Sequence, residues 1–61
     1  MNPVIVEFEK VFWCDTIACR KGDVFTEKMP FASWLDARRW AKGISSLASC
    51  PYNVENLRIA Q

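Results

Sequence analysis

Seven acidic side chains, eight basic ones, three cysteines and no histidine set the chemistry open to this 61-residue chain. Glu7, Glu9, Asp15, Asp23, Glu27, Asp36 and Glu55 could supply a carboxylate pair for general acid–base work, yet nothing in their spacing demands one. There is no histidine base, no nucleophile elbow, and with only Gly22 and Gly43 no glycine-rich phosphate loop. Catalysis is therefore not expected. Cys14, Cys19 and Cys50 have no histidine to complete a zinc site, and the four residues separating the first two exceed a usual zinc-knuckle gap, so neither metal nor cofactor is predicted.

Binding is the chemistry left. Arg38, Arg39 and Lys42 fall on the polar side of a predicted helix, extended by Arg20 and Lys21, and such a basic face can lie against phosphates or simply be solvated. Trp13 follows Phe12 on a predicted strand, so one of the two must point away from the helix and could anchor a partner. Arg58, between Leu57 and Ile59 on the last strand, is expected to point away from the core toward whatever docks on the sheet. A net charge of +1 gives no overall field to steer the molecule toward nucleic acid.

The elements that position these residues are organised around Ser33 to about Ala48. Trp34, Ala37, Trp40, Ala41, Ile44, Leu47 and Ala48 share one arc at helical spacing, with Ser33 as N-cap and Asp36 in the first turn. The helix is expected to run past Gly43 and stop before Cys50-Pro51. Ahead of it, Val4, Val6 and Phe8 alternate with Ile5, Glu7 and Glu9 as a half-buried strand, continuing to about Ala18 with a bulge near Lys10 and Val11. Arg20-Lys21-Gly22-Asp23 makes the hairpin loop. A second strand from Val24 to Lys28 is stopped by Pro30, and a third runs from Val54 to Ala60 with Leu57 and Ile59 inward. Phe31 should pack on the first helical turn.

The order strand, strand, helix, strand predicts one small α+β domain over residues 1 to 61: a three-stranded antiparallel-type sheet with one covering helix. A domain of about 60 residues buries only about 60% of its unfolded surface, so each large apolar residue has a structural claim. The chain is 51% hydrophobic, too apolar for a disordered tail. An odd cysteine count argues for a reducing compartment, and neither a membrane span nor a signal peptide is visible, so a soluble cytoplasmic protein is expected. The sheet face without a helix must be wet or meet a partner, and an apolar one would suit a homodimer.

Taken together, Phe12-Trp13, the hairpin, Phe31-Ala32-Ser33, Leu35-Asp36-Ala37, Ala41 and a closing strand with Arg58 resemble the small inhibitors of bacterial RNA polymerase made by podoviral phages. The resemblance implies the same strand-strand-helix-strand order. It also implies binding to the jaw of the polymerase's largest subunit, through arginines of the last strand and acidic residues near the hairpin, which here carries over to Arg58 and Glu27. The expected function is that of a phage or mobile-element protein inhibiting a host bacterial complex in the host cytoplasm. RNA polymerase is the first target and a CRISPR or other immune complex the second, and the alternative is a small nucleic-acid-binding protein using the basic helix face.

Overall fold

The computed structural model describes residues 2–60. Strand β1 (Val4–Phe12) is central, flanked by β2 (Val24–Phe31) and β3 (Tyr52–Ile59), and both pairings are antiparallel. Helix α1 (Trp34–Ser46) joins β2 to β3 and lies on one face. The molecule is thus an open three-stranded sheet with a single covering helix, in the β-β-α-β order the sequence predicts.

The period of two in β1 decides which face is covered. Val6 and Phe8 are fully buried, and with Ala37, Ala41 and Val54 they form the core. Met29, Trp40, Ile44, Tyr52 and Leu57 pack around it. Alanine at 37 and 41 lets the helix backbone approach the strands, while the larger Trp40 closes the side: its ring lies 5.0 Å from Phe8 and 5.4 Å from Phe31. Phe31 therefore meets the second helical turn.

The helix starts where expected. Ser33 is extended and its hydroxyl accepts the Asp36 N–H at 3.2 Å, leaving Asp36 near the positive end of the helix dipole. The helix passes Gly43, as the phase of Ile44 requires, but ends at Ser46 and not near Ala48. Two constraints shorten it. Leu47 turns extended with its N–H on the Ile44 carbonyl, and the Ser45 hydroxyl accepts the Val54 N–H at 3.0 Å, pinning the last turn to β3. The chain must then reverse by Pro51 to bring Tyr52 opposite Phe12.

Four other strand expectations are corrected. β1 stops at Phe12, because the following loop satisfies its backbone with side chains. The Thr16 hydroxyl accepts from the Ala18 and Cys19 N–H groups, the Asp15 carboxylate from Lys21 N–H and the Asp23 carboxylate from Arg20 N–H. No bulge occurs at Lys10; the irregularity is in β3, where Asn56 takes φ 55° and one extra residue fits between the partners of Glu7 and Glu9. Pro30 does not end β2 but sits inside it opposite Ile5. The Phe12 N–H to Asp23 carbonyl bond fixes the ladder's alternation, which turns the Pro30 nitrogen to the open edge, where no donor is needed. Ile59, expected inward, is exposed, while Leu57 does pack on the core.

Two glycines give opposite expectations. Gly43 is helical with open space where a Cβ would stand, so Gly43→Ala should stabilise by about 1 kcal/mol and raise Tm by about 4–8 °C. Gly22 has φ 94°, so Gly22→Ala should destabilise by about 1 kcal/mol despite equal space. Thermal unfolding followed by circular dichroism checks both.

Candidate functional site

Helix and sheet differ in length, and that difference creates the most distinctive surface. Thirteen helical residues span about 20 Å, whereas the nine of β1 reach about 30 Å. Because α1 starts beside the Phe31 end, the sheet beyond Lys10 projects uncovered, and the molecule measures 39 × 19 × 16 Å.

On the helix side of this projection Phe12 sits between two other rings, 5.8 Å from Phe25 in an edge-on arrangement and 5.3 Å from Tyr52. Phe25 remains 46% exposed. On the opposite side, strand alternation places Val11, Val24 and Trp13 together, with Val24 half and Trp13 44% exposed. Ile17 stands fully in solvent at the loop, and exposed Leu47 lies in the turn leading to β3. Most of the exposed large apolar side chains thus gather at one end. Sequence reasoning singled out Trp13 and missed Phe25 and Val24: Phe25 is exposed because the helix is too short to cover it, and Val24 because it lies on the face that carries no helix.

Lys10 explains why the alternation looked broken there. It lies on the helix side but beyond the helix, its ammonium 2.7 Å from Glu27 and 4.9 Å above the Tyr52 ring. Glu27 is therefore already paired, beside the aromatic cluster. The hydrogen bond to Glu27 holds the Lys10 ammonium above its ordinary value of 10.5, outweighing the opposing effect of burial.

Arg58 does point away from the core, but its guanidinium is engaged on the sheet. Its Nε and Nη2 both donate to Glu7 Oε2, the former at 2.7 Å, and Nη1 donates to the Asn56 carbonyl at 2.9 Å. Lys28 stands 3.9 Å from the other Glu7 oxygen, and Asn56 donates to Glu9. The centre of the uncovered sheet face is consequently a charged, internally satisfied layer and not the apolar face a sheet-to-sheet homodimer would use.

Arg38, Arg39 and Lys42 are exposed and form no ion pair among the described residues. With Leu35, itself 52% exposed, they line a shallow hollow on the outer side of α1. Positions 35, 38, 39 and 42 share one helical stripe, an apolar centre ringed by cations. This stripe is on the helix's outer side, separate from the aromatic end.

No family model, curated protein or solved structure matches the chain. No helix among the described residues is long and apolar enough to cross a membrane. Also among the described residues, no three His, Cys, Asp or Glu side chains are grouped to hold a metal ion.

The Lys10–Glu27 pair gives a pH expectation. With the folded-state Lys10 raised, its contribution to stability is fully present below 10.5 and is lost as pH climbs through the higher folded value. Urea titrations across that range should show wild type losing more stability than Glu27→Gln, which lacks the charged acceptor. Parallel curves would remove the pair from the account.

Proposed function

We propose that this chain is a non-enzymatic docking protein that binds a larger macromolecular assembly through its uncovered aromatic end and inhibits it by occupying that surface. The observation that carries the reading is the exposure of Phe25 on the helix side and of Trp13 and Val24 on the opposite side of one projecting sheet end. Aromatic side chains held on a rigid hairpin lose little freedom on binding and dominate interface energies. Glu27 and Lys10 flank the rings and supply the polar rim such an interface needs.

The resemblance in sequence to podoviral polymerase inhibitors makes the chain a phage or mobile-element protein in this reading. It makes a bacterial RNA polymerase the first assembly to test and a CRISPR effector the second, in the host cytoplasm. Within that frame Arg58 acts from the sheet, where release from Glu7 would free its guanidinium for an acidic partner.

A second reading has its own support: the unpaired Arg38, Arg39 and Lys42 stripe could lie along nucleic-acid phosphates. Three cations would give modest, strongly salt-dependent binding.

The two readings separate on variants. Binding to purified bacterial RNA polymerase, measured by interferometry, should weaken about tenfold or more in Trp13→Ala and in Phe25→Ala, with Tm little changed for Trp13→Ala. Unchanged affinity in both variants would overturn the aromatic end as the docking surface, and no binding to polymerase would shift the target to the immune complex. A gel shift with generic DNA and RNA that is salt-sensitive and abolished by Arg38→Ala with Arg39→Ala would establish the second reading instead.

A further inference from the structure

The β1–β3 ladder pairs Lys10 with Val54, Val11 with Asn53 and Phe12 with Tyr52, and the Trp13 N–H donates to the Pro51 carbonyl at 3.1 Å. One step on, the same register sets Cys14 across from Cys50. The bonds to β3 are made by the odd-numbered residues of this stretch, as the Trp13 bond and the Ala60 N–H to Ile5 carbonyl bond show. Carried past the last ladder pair, Phe12 and Tyr52, this alternation makes Cys14 and Cys50 a non-hydrogen-bonded cross-strand pair. Such pairs bring Cα atoms to about 4.5 Å, inside the about 4.4–6.8 Å range of disulfides.

The Cys14 thiol is directed at the Pro51 carbonyl on the β1 side, 4.0 Å away, whereas the Cys50 thiol donates to the Tyr52 carbonyl at 3.3 Å, which faces the open edge, so closing the pair takes a rotation of the Cys50 side chain. Both are half-buried free thiols, reachable by a small reagent. Cys19 is set apart in the loop, where its backbone N–H and carbonyl bond with Thr16.

We propose that Cys14 and Cys50 are a redox pair that closes an intrachain disulfide, clasping the first and last strands at the aromatic end, while Cys19 stays a thiol. The oxidant is a small disulfide of the glutathione class. One protein thiolate attacks a sulfur of that disulfide, forming a mixed disulfide and expelling one glutathione thiolate. The second protein thiolate then displaces the other glutathione. Two protein S–H bonds become one S–S bond, and the two protons and two electrons end on two glutathione thiols. The closed loop runs from residue 14 to 50 and contains β2 and α1, so the clasp restrains the unfolded chain strongly. This inference does not depend on which partner the aromatic end meets.

The test uses the whole chain incubated with oxidised glutathione. The expected product is a monomer lighter by two hydrogen atoms, with peptide mapping linking Cys14 to Cys50 and one titratable thiol left. Its Tm should rise by about 10 °C or more over the reduced chain, with the rise reversed by dithiothreitol. Cys19→Ser should keep the whole rise, and Cys14→Ser, folded as judged by a reduced-state Tm close to wild type, should lose it. A bridge involving Cys19, stable glutathione adducts on both Cys14 and Cys50, or an intermolecular dimer as the main product would overturn the assignment.

Discussion

The seating of Ala41 over Phe8 is the contact on which this molecule depends. Two buried alanines at helical spacing, Ala37 and Ala41, let the helix approach the sheet closely, and the Phe8 ring packs beneath Ala41. A core of five buried side chains leaves little reserve. Trp40 therefore acts as a wall, edge-on to Phe8 and tilted against Phe31, and Ile44 and Leu57 extend the cover only part of the way along the strands.

That economy fixes what the rest of the surface must be. With no second helix, the opposite sheet face has to tolerate water, and its middle does so with Glu7 shared between Lys28 and Arg58 and Glu9 bonded to Asn56. Exposed pairs of this kind contribute little to stability, each about 0–1 kcal/mol. Their effect is to keep the face polar. Glu9 stands across from Glu55, an unfavourable neighbour that the Asn56 amide offsets by donating to Glu9. The bulge that tilts Asn56 into reach of Glu9 thus serves the charge layer as well as the twist of β3.

Much of this was legible because the signals were local. Ser33 and Asp36 marked the helix start, the phase of Ile44 carried the helix through Gly43, and the alternation from Val4 to Phe8 gave the buried face. What was not legible depended on lengths and partners distant in sequence. Lys10 looked like a break in the strand because nothing nearby in the chain signals that Glu27 and the Tyr52 ring will meet its ammonium. Pro30 looked like a terminus because only the sheet order reveals that β2 is an edge. The exposure of Phe25 has no local signal, because it is set by where the helix runs out, which in turn is set by the reversal before Pro51.

The open edges bear on how a partner could be held. Strand addition needs a row of free N–H and C=O groups, and each edge of this sheet interrupts that row. On β2 the outward positions include Pro30, which has no N–H, and the charged Lys28; on β3 the Asn56 bulge bends the ladder midway. An incoming strand would therefore find at most a few consecutive bonds on either side. Side chains at the projecting end face no such obstacle, since Val24 and Phe25 stand on a paired strand, Trp13 directly follows one, and all three are exposed. The same short helix that leaves those rings bare leaves Cys14 and Cys50 near them, so whatever settles the end of the β1–β3 ladder also settles the footing of Phe12 and Tyr52, the inner members of the aromatic cluster.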